Sequence, residues 1–238
     1  MNPNLELQTQ GILLIDKPKG KTAFDLVAIL RKKLNIRTIG HAGTLDPMAT
    51  GVMVMLIGKK FTTLSNQLIA DEKEYLGQVH LGIETDSYDA EGTHLATSPV
   101  IPTEEELKNA LLSFQGEISQ IPPMFSAKKI KGQKLYHLAR QGKVVERASV
   151  TLQVKTELLS YNYPYVELKI TCSKGTYVRS IAHDLGQQLG CGAHLSGLIR
   201  TRSGPYLLED CLKGEDLYSG KLSSLEVVAQ LRRNHPCL

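Results

Sequence analysis

The residues best placed to do chemistry lie in the stretch Gly40-His41-Ala42-Gly43-Thr44-Leu45-Asp46-Pro47-Met48-Ala49-Thr50-Gly51. Three glycines and a proline there describe a tightly folded loop, because glycine permits positive φ and close approach while proline fixes its own φ. The ring of Pro47 also pushes Asp46 out of the helical region, so its carboxylate has little backbone freedom. A carboxylate aimed in this way suits a nucleophile or a general base. The same residues also describe an ordinary Asp-Pro turn, in which the aspartate bonds its own loop.

Arg179 opposes a helix dipole from the first turn of a helix, at a cost of about 0.3–1 kcal/mol. A buried carboxylate partner would explain that position, since arginine is permanently charged and can bond both carboxylate oxygens. Exposed arginines at helix starts are common, however. Tyr75 lies on an alternating strand, and by β-propensity a strand aromatic is the simpler reading of it. Lys128, Lys129, Lys131, Lys134, Arg140, Lys143 and Arg147 face a single acid, Glu146, so the net charge of +4 is concentrated locally. Tyr136 and His137 lie among those cations. Phosphates and unstacked bases of a folded RNA would suit such a segment, as would a merely solvated surface.

The elements that must position these residues follow from periodicity. Gly11–Ile15 and Val52–Ile57 are apolar runs of strand length, and Lys73 to Gly82, Val150 to Val154, Val166 to Cys172 and His194 to Arg202 alternate as strands. Thr22 with Asp25 opens a helix to about Leu34, with Phe24, Val27, Ala28 and Leu30 facing inward. Phe61 to Ala70 reads as a helix. Thr103 with Glu106 caps a helix that turns Leu107, Ala110, Leu111 and Phe114 inward, and Leu135 to Gln141 is helical, with Gly142 as its stop. Thr176 is the expected N-cap of the helix that carries Arg179. Glu84 to Gly92 reads as a solvated loop without EF-hand spacing. After Pro205 only one amphipathic helix, about Ser224 to Arg233, is expected. The fold class is α+β, a mixed and largely antiparallel sheet flanked by helices.

With 238 residues, 42% apolar and 22% charged, the composition is that of a globular chain. No apolar run reaches the length of a membrane span, and the polar start is neither a signal nor a transit peptide, so the expected location is the cytoplasm. Cys172, Cys191, Cys211 and Cys237 form no Cys-x-x-Cys pair, and no histidines have helical metal spacing. No metal is expected. No Walker or dinucleotide pattern accompanies the glycines, which argues against a phosphate-binding metabolic enzyme.

Taken in order, Gly11 to Gly20, Gly40 to Gly51, Glu74-Tyr75, Gln120-Ile121-Pro122-Pro123, Ser173 to Arg179 and Leu189 to His194 resemble the TruB family of bacterial tRNA pseudouridine-55 synthases over about residues 11 to 205. The resemblance implies a cofactor-free isomerisation of one uridine in the T loop of tRNA, with Asp46 as nucleophile or base and Arg179 as its ion-pair partner. It further implies that Tyr75 stacks on the flipped base and that His41 fills the space the nucleotides leave. Lys17 and Tyr177 would support the pocket, and Leu198 would form an apolar wall. Lys128, Lys129, Lys131, Arg140 and Arg200 would contact RNA, with residues 123–147 as a basic flap over the T loop and the RNA in a central cleft with Asp46.

Phe125 stands where the family usually has tyrosine, Ile199 where it often has arginine, and Lys59-Lys60-Phe61-Thr62 departs from the usual pattern after the core strand. Residues 1–210 would be the catalytic domain and 211–238 a short helical tail without a PUA domain, giving a monomer that grips the T arm alone, with weaker and more salt-sensitive affinity than longer relatives. No obligatory protein partner is implied. Two other readings share these motifs: an RNA-folding protein using the same surface, and a guide-dependent synthase of the dyskerin type.

Overall fold

The computed structural model describes residues 9–69, 72–126, 128–130 and 132–233. It divides into two compact units, one formed by Met1–Glu74 with Ile199–Leu238 and the other by Tyr75–Leu198.

The first unit opens with β1 (Gly11–Lys17), α1 (Ala23–Leu34), β2 (Ile39–Ala42) and β3 (Thr50–Ile57). β3 pairs antiparallel with β1 over its length, from Gly11 opposite Ile57 to Lys17 opposite Gly51, and antiparallel with β2 from Ile39 opposite Ile57 to Ala42 opposite Val54. Partnered on both sides, β3 is buried from Gly51 to Ile57, which is why it reads as a continuous apolar run. The capping box of α1 is present: Asp25 N–H donates to Thr22 Oγ1 at 3.1 Å and Thr22 N–H to Asp25 Oδ2 at 2.8 Å. Its buried stripe is Ala23, Leu26, Val27 and Leu30. Phe24 and Ala28, expected inside, are exposed, Phe24 at 69%. The i, i+3, i+4, i+7 stripe starts one residue earlier than expected and leaves Phe24 about 100° off it.

The expected helix Phe61 to Ala70 is instead two short ones, α2 (Lys59–Thr62) and α3 (Ser65–Ile69), and Ala70 lies outside the described residues. Thr62 and Thr63 donate their hydroxyls to the carbonyls of Lys59 and Lys60, the local bonding by which threonine competes with helix continuation.

Two strands carry the chain between the units, β4 (Lys73–Leu81) on the way out and β12 (Ala193–Ser203) on the way back. The second unit holds β5 (Ile83–Thr85), β6 (His94–Thr97), α4 (Glu104–Leu111), β7 (Gln115–Gln120), β8 (Lys129–Ile130), β9 (Gln133–Lys134), α5 (Leu135–Arg140), β10 (Val150–Asn162), β11 (Tyr165–Cys172), α6 (Val178–Gln188) and the start of β12 (Ala193–Ser203). Hydrogen-bonded order here is β12-β4-β11-β10-β7. Helix α6 starts one residue later than expected: Tyr177 is its N-cap, and the Thr176 hydroxyl donates instead to Ser173 O at 2.9 Å. The Glu84–Gly92 stretch is not a solvated loop, because Thr85, Ser87 and Asp89 are all buried.

The chain then completes the first unit with β13 (Tyr206–Leu207), β14 (Leu212–Lys213), α7 (Gly214–Tyr218) and α8 (Ser224–Ala229), more than the single helix expected. β14 pairs parallel with β1, and Ile12 and Arg232 exchange backbone bonds of 2.9 and 2.8 Å. Leu217, Val227 and Leu231 are buried there. Deleting residues 211–238 strips β1 of those partners, so the truncated chain is expected to lose cooperative thermal unfolding by circular dichroism. A sharp transition at the wild-type temperature would show the segment to be dispensable.

Candidate active site

In the first unit the candidate site is built around the loop that joins β2 to β3. Leu45, Met48 and Ala49 are buried and peg the loop, while Asp46 between them is half-buried. Ala49 N–H donates to Asp46 O at 3.1 Å, closing a tight turn around Pro47. The Pro47 carbonyl accepts from Gly20 N–H at 2.8 Å and from Lys17 Nζ at 3.1 Å. Lys17 is fully buried and also donates to Pro18 O at 3.1 Å and Lys21 O at 2.5 Å.

Arg200, 1% exposed, holds the loop from its other end. It donates Nε to Val52 O at 2.7 Å, Nη2 to Gly43 O at 3.2 Å and Nη1 to Thr44 O at 3.5 Å. The sequence suggested an RNA contact for Arg200; its guanidinium is instead turned onto the loop backbone.

Gly51 lies between these two residues, opposite Lys17 in β1 and opposite Arg200 in β12. Its φ is +103°, and a Cβ there would come within 2.3 Å of Arg200 O. Only glycine fits.

His41 on β2 is half-buried, and its Nδ1 is buried without a hydrogen-bond partner. Burial, and secondarily the charge of Arg200, hold its pKa below the ordinary histidine value. Both effects favour the neutral imidazole over the charged one in the folded chain.

In the second unit Arg179 is 5% exposed in the first turn of α6. Nη1 donates to Asp89 Oδ2 at 3.0 Å and Ser87 O at 3.2 Å, and Nη2 donates to Phe125 O at 2.9 Å. Asp89 also accepts from Ser87 Oγ at 2.6 Å and Glu91 N–H at 3.0 Å through Oδ1. The buried carboxylate that the position of Arg179 calls for thus includes Asp89, in a stretch whose composition predicts a solvated loop. No local periodicity marks Asp89 as inward, because residues 86–88 form a turn rather than a strand.

Tyr75 on β4 is 9% exposed on the strand face that also buries Gly77, Val79 and Leu81, and Leu198 on β12 is 8% exposed. Tyr177 is half-buried at the N-cap of α6, its backbone N–H and carbonyl both bonded to the Gln120 amide.

Among the expected RNA-binding cations, Lys128 is half-buried, Lys129 and Arg140 are exposed, and Lys131 lies outside the described residues. Lys134 and Arg140 lie over the Tyr136 ring, 5.4 and 5.7 Å from its centroid. A recess of about 500 Å³ beside them is lined by Lys129, Gln133, Lys134, His137, Gln141 and Lys143.

These geometries make two predictions. Lys17→Met removes the ammonium's bonds to three carbonyls and is expected to cost about 1–3 kcal/mol in urea unfolding, with activity falling further as the Asp46 loop loosens. Wild-type stability would show that the clamp holds nothing. The depressed pKa of His41 means that the unfolded chain takes up a proton first, so its contribution to stability is complete above about pH 6.5 and is lost as pH falls below that value. His41→Gln should flatten the drop in melting temperature between pH 7 and 5.5, and an unchanged drop would assign it to other groups.

Comparison with known proteins places this architecture. The description "TruB family pseudouridylate synthase (N terminal domain)" matches residues 31–178, and "tRNA pseudouridylate synthase B C-terminal domain" matches residues 179–234. A protein of Protochlamydia amoebophila named tRNA pseudouridine synthase B is 62% identical over 210 residues, covering 88% of this chain and 80% of the relative. Its namesake in Opitutus terrae is 49% identical over 228 residues, covering 95% and 93%. Among solved structures, a Cbf5-Nop10-Gar1 complex contains a chain that superposes with a TM-score of 0.70 at 28% identity. The match covers 96% of this chain but only 61% of that one. With family matches that run from residue 31 to 234 and such relatives along most of its length, this chain belongs to the TruB family of pseudouridylate synthases, which are isomerases.

Proposed function

We propose that this protein converts the uridine at position 55, in the T loop of tRNA, to pseudouridine, with no cofactor. The observation that carries the reading is Asp46 on a loop whose carbonyls are gripped by two buried cations, in a chain whose relatives are named tRNA pseudouridine synthase B.

The isomerisation breaks the C–N bond between base and sugar, turns the base and rejoins it through carbon. The target nucleotide must first leave its stack, at a cost of a few kcal/mol that contacts in the pocket must offset. In this reading Tyr75 stacks on the flipped uracil, Leu198 walls the pocket, and His41, neutral and therefore undemanding of a counter-charge, fills the space left in the T loop. Asp46 attacks the flipped nucleotide or removes a sugar proton, and Arg179 is its charge partner. Arg179 suits that part because Asp89, Ser87 and Phe125 already fix its guanidinium, so little reorganisation accompanies the reaction. The exposed cations of residues 123–147 meet the phosphates of the T arm, and the protein acts as a cytoplasmic monomer.

The test is tritium release from a 5-tritiated-uridine T-arm stem-loop, comparing wild type with Asp46→Asn at matched RNA binding. Release by wild type and a loss of at least about a thousandfold in the variant is expected of a group whose removal abolishes the chemical step. Release by both would remove Asp46 from the chemistry. Binding without release by wild type would favour an RNA-folding role for the same surface.

A further inference from the structure

Gln120 is the last residue of β7, 2% exposed, and its amide spends both of its functions on one residue. Oε1 accepts from Tyr177 N–H at 2.8 Å and Nε2 donates to Tyr177 O at 3.1 Å. Tyr177 is the N-cap of α6, and its own side chain makes no capping bond. Its carbonyl also receives the first helical bonds, from Ser180 N–H at 3.1 Å and Ile181 N–H at 3.3 Å. The bond from Tyr177 N–H to Gln120 fixes the peptide plane before the Tyr177 Cα, which no helical bond holds, and the bond to its carbonyl reinforces the plane after it.

Two residues further on, Arg179 must meet Asp89, Ser87 and Phe125 together. Three bonds to one planar fork tolerate little displacement. Gln120 also leads directly into Ile121-Pro122-Pro123, the entry to the basic segment, and Arg147 at the end of that segment donates Nη1 to Pro122 O at 3.2 Å. One buried amide thus ties the root of the RNA-binding segment to the helix start that carries Tyr177 and Arg179.

We propose that Gln120 is a positioning residue for the synthase reaction: by holding both backbone groups of Tyr177 it sets the start of α6, and with it the aim of Tyr177 and Arg179. The inference rests on the reading that those two residues belong to the active site. The chemistry of the contact explains the residue type. A neutral amide carries a donor and an acceptor side by side, matching the N–H and carbonyl of one residue. A carboxylate at the same place accepts from the N–H but sets its charge against the carbonyl. A protonated carboxyl restores the donor, and burial favours that protonated form.

The experiment compares wild type, Gln120→Met and Gln120→Glu by single-turnover tritium release, affinity for the same T-arm stem-loop, melting temperature and amide exchange. Gln120→Met is expected to slow turnover by about tenfold to a hundredfold, the scale on which small misplacements of reacting groups act, with affinity within about twofold of wild type. Gln120→Glu should be slow at pH 8 and regain rate relative to wild type as pH falls to 5.5, a reversal that lost packing would not produce. Wild-type rates in both variants, a rate loss matched by weaker binding or by loss of folded protein, or a Glu variant with the pH profile of wild type would each overturn the proposal. Should wild type itself release no tritium, the synthase reading fails separately and exchange decides: faster exchange at Ser180 and Ile181 in Gln120→Met, with β7 unchanged, sustains the positioning of α6, and unchanged exchange overturns it.

Discussion

The constraint on which the first unit depends is the grip of two buried cations on the backbone of one loop. Burying a charge is unfavourable unless it is paired or fully hydrogen-bonded. Lys17 meets that requirement with the carbonyls of Pro18, Lys21 and Pro47, and Arg200 with those of Val52, Gly43 and Thr44. The dependence is mutual. If the loop drifted, each cation would lose bonds in a dry place, and if either cation withdrew, carbonyls would be stranded. Gly51, flanked by both residues in the sheet, keeps the backbones close enough for this to work.

The same logic recurs around Arg179 in the second unit, where the partners of the fork include the Asp89 carboxylate and the carbonyls of Ser87 and Phe125. Cations in this protein therefore divide by environment. Lys17, Arg179 and Arg200 are buried and organise backbone, whereas Lys129, Arg140 and Lys143 are exposed and free of that duty. These three exposed cations share one segment, which the proposed function sets against the phosphates of RNA.

Much of this was legible in the sequence because it rests on local rules. The capping boxes at Thr22 and Thr103, the buried strands β1 and β3 and the glycine stop at Gly142 need only neighbours in the chain. The Asp46 loop was legible for the same reason. What escaped depends on distant partners. Nothing near Arg200 says that its guanidinium will turn inward, since the carbonyls it meets lie about 150 positions earlier. Asp89 looked solvated because its acidic neighbours dominate the local composition. Thr176 looked like a cap until Gln120, on another strand, took over the backbone of Tyr177. Phe24 was misplaced by a one-residue error in phase, which periodicity alone resolves poorly over twelve residues.

The first unit is discontinuous in the chain, closed by β14 and Arg232 returning to the opening strand, while the second is an unbroken run from Tyr75 to Leu198. During synthesis, in which domains fold as units as they emerge, the second can assemble while the first still lacks its closing segment. The loop bearing Asp46 leaves the ribosome early but gains its second clamp only once Arg200 has followed it. Under the proposed function, the basic segment of the second unit can thus take shape before the second clamp sets the Asp46 loop.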